Sequence, residues 1–209
     1  MQGSLCINGN EHAFRYVLWE KFERFMQQHP GISLELISEN RLIDIVAERY
    51  DAGIRLGDDI AKDMIALRIS DDMQMCVTAS PDYLAQHGTP HELTGHTCLS
   101  VRLPTYGNLL NWEFADPAQN GKTISVQTNG RFTANTSELL QRAACAGHGL
   151  IWTPRDSITA ELASGRLKTV LDDWAVRYPG YHLYYPNRRA GSPLLQALAE
   201  CLRHDEMPV

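Results

Sequence analysis

The apolar residues at the start of the chain switch repeatedly between two periods. Ser4 to Asn8 reads as a short strand. From Glu11 to Gln28, Phe14, Leu18, Phe22 and Phe25 recur at helical spacing and predict one apolar helix face, stopped by Pro30. Ile32, Leu34 and Leu36 then alternate with Ser33 and Glu35, the period of a strand. Leu42, Ile45, Val46 and Arg49 suggest a short second helix, and Ala52 to Leu56 a third strand. This strand–helix order implies parallel pairing with crossover connections. Ligands of such sheets bind beyond the carboxyl ends of the strands, where Asn8, Gly9, Asn10 and Gly57 fall.

Further along, Met73–Thr78 reads as a strand and Ser80-Pro81 as the start of a short helix. A connector bearing His and Pro leads to a strand at Thr97–Arg102, a loop through Thr105–Asn108, and a strand at Lys122–Asn129. Asn135 with Glu138 three residues on predicts a capped helix start, with Leu139, Leu140, Ala143 and Ala144 buried and Gly147 as the stop. Gly149–Trp152 reads as a strand, Arg155–Ala163 as a helix, and Leu167–Leu171 and Tyr181–Tyr185 as strands. Ser192-Pro193 begins a last helix that carries Leu195, Leu198 and Leu202.

Composition narrows the function classes. The 209 residues are 44% apolar and 21% charged, as in a water-soluble globular protein. No apolar run approaches the roughly 18 residues of a membrane span, and no signal-peptide pattern opens the chain, so a cytoplasmic location without membrane contact is expected. The net charge of −6 argues against a nucleic-acid-binding surface within these residues, because phosphate contacts demand a basic excess. The five cysteines are scattered and read as reduced, buried thiols. His87, His91, His96 and Cys98 cluster, but in a connector with Pro90 and Gly95 rather than on a helix face, so no metal is expected. The catalytic and nucleotide-binding signatures G-x-S-x-G, H-E-x-x-H and the P-loop are missing, and neither enzymatic activity nor a cofactor is expected.

The sharpest motif is Tyr50-Asp51-Ala52-Gly53-Ile54-Arg55-Leu56-Gly57. It places one arginine in an apolar strand, a costly choice unless the guanidinium finds partners. The block resembles the "F/Y-D-A-G-I-R-L-G" segment of the effector-binding domain of LysR-type transcriptional regulators. Further segments follow in that family's order: Ser80-Pro81-Asp82-Tyr83-Leu84, Gly88-Thr89-Pro90 with Leu93, His96 and Cys98, and Trp112-Glu113-Phe114. Then come Ala146–Leu150, Gly165-Arg166-Leu167 with Trp174, and Tyr184–Arg189. The resemblance implies an α/β, periplasmic-binding-protein-like (type II) fold of two Rossmann-like lobes with an interlobe cleft. Residues 1–78 and 181–209 would form the first lobe and 79–180 the inserted second. It also implies a small-molecule effector, a carboxylate or aromatic acid, and a homodimer or tetramer. DNA would be held only by an N-terminal winged helix-turn-helix that these residues do not include. The alternative is a transporter's solute-binding protein of the same fold.

Several residues are candidate effector contacts. Asn8 and Asn10 precede the first helix, whose N-terminus favours an anion; an ordinary helix cap is the competing role, and Glu11 could itself fill the anion position. Ser80 and Pro81, and Asn135 and Thr136, stand where the resemblance puts ligand contacts on the second lobe. Arg55 could meet effector, Asp51, Asp58 or a backbone carbonyl, and Arg102 leaves a strand before a loop. Trp152, beside His148 and Gly149, would narrow the pocket, stack on a planar effector, or pack in the core.

Overall fold

The computed structural model describes residues 1–41, 43–57, 64–103 and 107–204. Strand β1 (Gly3–Gly9) runs into a helix that starts at Glu11, passes through a π-helical turn at Ala13–Val17 and continues as α1 (Trp19–Gln28). Strands β2 (Ile32–Ser38), β3 (Ala52–Leu56), β4 (Met64–Arg68) and β5 (Met73–Ala79) follow, then α2 (Pro81–His87). Next come β6 (Ser100–Val101), β7 (Trp112–Asp116), β8 (Lys122–Val126), β9 (Thr133–Ala134), α3 (Ser137–Cys145) and β10 (Ile151–Pro154). The chain closes with α4 (Thr159–Ala163), β11 (Lys168–Val170), β12 (Arg177–Tyr178), β13 (Tyr181–Pro186) and α5 (Pro193–Leu202).

The elements divide into two units, Met1–Asp72 with Tyr178–Val209, and Met73–Arg177. The expected boundary after Thr78 moves to Asp72. The reason is hydrogen bonding: β5 pairs with β10 and β11, both in the second unit.

In the first unit the described strands form one sheet in the order β2-β1-β3-β13-β4. β1 pairs parallel with β2 and β3, as the alternating pattern predicts, and aligns Ile7 with Leu36 and Ala52. β13 enters antiparallel and sets Leu183 beside Ile54 and Leu67. Phe14, Leu18, Phe22 and Phe25 pack on this sheet together with Leu195, Leu198 and Leu202 of α5. Burying each such side chain stabilises the fold by about 1.5–3 kcal/mol relative to exposure. The large apolar residues left outward on α1 are Trp19 and Met26. The π turn, with Leu18 N–H reaching Ala13 O (2.9 Å), resets the phase between Phe14 and Phe22. Lys21 Nζ closes the far end of α5, donating to the carbonyls of Leu202 (2.9 Å) and Arg203 (3.2 Å) as well as Ile69 (2.8 Å).

The second helix expected near residue 45 is a single turn instead. Asp44 Oδ1 caps the N–H groups of Val46 (2.8 Å) and Ala47 (3.1 Å), and Arg49 adopts φ 64°, which ends the turn at once. Leu42, assigned to that helix, lies outside the described residues.

In the second unit β5 is flanked antiparallel by β10 and β11, β6 pairs parallel with β9, and β7 with β8 forms a hairpin. Its core gathers Cys76, Leu99, Leu140, Ala144, Ile151, Ile158 and Leu167. The strand expected over Thr97–Arg102 is reduced to two residues, flanked by isolated bridges at Cys98 and Arg102. The helix expected from Asn135 starts at Ser137. Thr136 holds the N-cap position and makes no side-chain cap bond, and Glu138 pairs with Arg142 (2.7 Å). Leu139, expected in the core, is 50% exposed. The other end follows expectation: Gly147, at φ 81°, sends its N–H to Ala144 O while His148 N–H reaches Ala143 O, a complete Schellman stop.

Candidate functional site

In the first unit, the parallel register puts the carboxyl ends of β1, β2 and β3 at one edge, with Gly9 beside Ser38 and Ile54. Asn8 is fully buried there. Its Oδ1 accepts a short bond from Arg55 Nη2 (2.6 Å), while its Nδ2 has no hydrogen-bond partner among the described residues. Arg55 is 6% exposed and also donates to the carbonyls of Ile54 (2.8 Å), Arg41 (3.0 Å) and Glu39 (3.2 Å). Backbone carbonyls, one of the partners the sequence leaves open to Arg55, are engaged here. Asp51 is engaged elsewhere, with Arg189 (2.8 Å) and the N–H of Cys6 (2.9 Å), and Asp58 lies outside the described residues.

Asn10 takes the capping role. Its Oδ1 accepts from Ala13 N–H (2.8 Å) and its Nδ2 donates to the Tyr181 hydroxyl (3.1 Å). Glu11 pairs with Arg15 (3.3 Å) on the exposed side of the same helix. A cavity of about 480 Å³ opens beside this turn, lined by Glu11, Phe14, Arg15, Trp19, Leu36 and Ser38. Ser38 was missed from the sequence, where it reads only as the polar end of β2.

The Tyr50–Gly57 block resolves into a division of labour by strand alternation. Ala52 and Ile54 face the core. On the other side, a Cβ at Gly53 would strike the Tyr184 ring, and one at Gly57 would come within 2.8 Å of the His182 ring. The glycines are thus the seats of two rings carried by β13.

In the second unit, Ser80 is buried and caps α2, accepting Tyr83 N–H at 3.2 Å, with Pro81 at the first helical position. A Cβ at Gly147 would lie 3.6 Å from Ser80 Oγ, so the start of α2 and the stop of α3 are neighbours. Gly149 is buried and has no room for a side chain against the Thr97 carbonyl, whereas His148 is exposed. Trp152 is buried opposite Val77 on β5. Asn135 is exposed and Thr136 half-buried at the start of α3. Arg102 is exposed and donates to Gly107 O (2.6 Å); Thr105 and Tyr106 of its loop lie outside the described residues.

Tyr83 organises the histidine-bearing connector. Its ring meets those of His87 (4.5 Å) and His96 (6.0 Å), and its hydroxyl accepts Thr97 N–H (3.0 Å) and faces His96 Nδ1 (3.3 Å). Burial, reinforced by His87, lowers the His96 pKa. Burial likewise pushes the thiols of Cys76 to about 12 and of Cys98 and Cys6 to about 11, and all five cysteines are free. Among the described residues no group of three or more His, Cys, Asp or Glu side chains is placed to hold a metal ion, and no helix is long and apolar enough to cross a membrane.

Residues 1–206 match the family described as "LysR substrate binding domain". A Pseudomonas aeruginosa protein named as a transcriptional regulator is 37% identical over 205 residues, 97% of this chain and 66% of that protein. The HTH-type transcriptional regulator PgrR of Escherichia coli K12 is 38% identical over 194 residues, 91% of this chain and 64% of its own length. The chain therefore spans just under two thirds of these relatives. The CrgA regulatory domain of Neisseria meningitidis, a LysR-type transcriptional regulator, has 27% identity and superposes with a TM-score of 0.79, covering 97% of this chain and all of that one. These relatives are transcriptional regulators, and the alternative of a transporter's solute-binding protein falls away. Fold, motif order and relatives converge: the chain belongs to the LysR substrate-binding domain family, the effector-binding domain of LysR-type transcriptional regulators.

Proposed function

We propose that this chain is the sensing part of a longer, cytoplasmic transcription regulator that works as a homo-oligomer and reads DNA through a separate N-terminal domain. It acts by binding, not by catalysis. The effector is a small carboxylate or aromatic acid. The candidate contacts of the first lobe are the edge at Asn8, Asn10 and Arg55; those of the second are the helix starts at Ser80-Pro81 and Asn135-Thr136, with Arg102, His148, Gly149 and Trp152. The observation that carries this reading is Asn8. Its buried Nδ2 is an unspent donor beside a guanidinium whose hydrogen bonds among the described residues all go to uncharged oxygens. A buried donor left unpaired costs about 1–3 kcal/mol, which an acceptor on the ligand would recover. Binding that favours one conformation over another would then shift the population read by the DNA-binding part.

The test is a thermal-shift screen of small carboxylates and aromatic acids. A true effector raises the melting temperature with concentration, by the equivalent of about 2.7 kcal/mol at a hundred times its Kd. The shift should disappear in Asn8→Ala and weaken in Asn135→Ala. A hit that both variants bind like the wild type would overturn the site.

A further inference from the structure

The histidine-rich connector that the effector reading leaves unused contains a proton-dependent contact. A tyrosine hydroxyl has one proton and two lone pairs. In Tyr83, which is 3% exposed, one lone pair takes the N–H of Thr97 (3.0 Å). The hydroxyl also lies 3.3 Å from His96 Nδ1, and it donates its proton there when His96 is neutral with its hydrogen on Nε2. A protonated His96 would present a second N–H to the same oxygen, and the hydroxyl proton would lose its acceptor in a buried place.

The bond under threat holds more than itself. Thr97 also accepts Leu150 N–H through its carbonyl (2.8 Å), and that carbonyl is the group against which Gly149 has no room for a side chain. Tyr83 belongs to α2, whose cap Ser80 borders Gly147. One hydroxyl thus joins α2, the segment at Thr97 and the Gly147–Gly149 turn.

We propose that Tyr83 and His96 form an acid-sensitive latch: protonating His96 releases the Tyr83 hydroxyl and loosens α2 together with the Gly147–Gly149 turn. Among the described residues the titratable groups around His96 are Tyr83 and His87, both from α2, and Cys98 on its own segment, whose Sγ lies 3.9 Å from the His96 carbonyl. Burial and the His87 ring both act in the direction that keeps His96 neutral. The sign follows. A histidine whose folded pKa lies below its unfolded value contributes stability that is present above about pH 6.5 and is lost as the pH falls through the folded value. The latch itself is independent of the effector reading. Its consequence rests on that reading, since Ser80, Pro81, His148 and Gly149 are the candidate contacts it would set free.

The experiment is an NMR titration of the histidine rings of the 209-residue chain between pH 8 and 5, in the wild type and in Tyr83→Phe. His96 should titrate below 6.5 in the wild type, with its proton on Nε2 at pH 7.5, and move upward in Tyr83→Phe. Exchange of the Thr97 amide, corrected for intrinsic rate, should accelerate at least tenfold between pH 7.5 and 5.5. In His96→Gln, this acceleration should vanish. A wild-type His96 titrating at or above 6.5, or titrating identically in Tyr83→Phe, overturns the latch even if His96→Gln fails to fold. The carboxylate screen at pH 7.5 judges the effector reading separately, because the latch is closed there.

Discussion

Replacing Arg55 with methionine separates a bracing residue from a ligand-binding one. The substitution keeps an unbranched, similarly long stem and removes the guanidinium, so cavity effects stay small. Four hydrogen bonds disappear, to Asn8 Oδ1 and to the carbonyls of Ile54, Glu39 and Arg41. The Glu39 and Arg41 carbonyls are partly buried and can turn to water; those of Asn8 and Ile54 sit at buried bonds. Two orphaned buried acceptors at about 1–3 kcal/mol each, less the relief of no longer desolvating a charge, give a net loss of about 3 kcal/mol. For a chain of this size that corresponds to a drop in Tm of about 6–12 °C. Urea titration followed by circular dichroism measures it, with the slope unchanged so that the midpoint shift reports stability. A residue kept only for its ligand behaves differently: removing a buried charge that serves nothing but binding costs little or stabilises. A variant within about 0.5 kcal/mol of the wild type would refute the bracing argument and return Arg55 to the effector alone.

Two other perturbations test the second unit. Gly147→Ala should cost about 1–2 kcal/mol in a urea melt, because the residue sits at φ 81° with adequate room for a methyl, so the penalty is conformational rather than steric; an unchanged midpoint would show that the Schellman stop is not held in solution. Cys76 should make the fold sensitive to alkali. Its folded thiol ionises only near 12 because of burial, whereas the unfolded thiol does so near its ordinary 9.0. A raised folded value means the contribution is intact below about pH 9 and is lost as the pH rises from there towards 12. Stability–pH curves of the wild type and Cys76→Ala should therefore diverge above pH 9, and parallel curves would contradict it.

Most of the architecture was legible because burial and periodicity agree. The Phe14–Phe25 face, the alternation of β2 and the α5 leucines each predict an element that forms. What the pattern missed has local causes. Near residue 45 the apolar residues have helical spacing, but Asp44 captures two N–H groups and Arg49 turns left-handed, so one turn forms and stops. At Asn135 the capping signature is present, yet the backbone enters the helix two residues later and Glu138 finds Arg142 on the next turn. β4 has an apolar run too short to separate strand from helix, and only pairing with β13 decides it. Of the site, the residue types could be named but not their obligations. That Asn10 is held by Tyr181 depends on a contact far apart in sequence, and that Tyr83 gathers two histidines depends on how the irregular connector after α2 folds back.

The two rings seated on Gly53 and Gly57 also bear on how this domain can change over generations. Each glycine and its ring occupy one volume from two positions more than a hundred residues apart in the chain. A side chain gained at position 53 needs a smaller neighbour at 184, and one gained at 57 needs the same at 182. Neither member of a pair can drift alone without displacing the other. Variation is thereby steered away from this strand, towards exposed positions of the second unit such as Asn135 and His148.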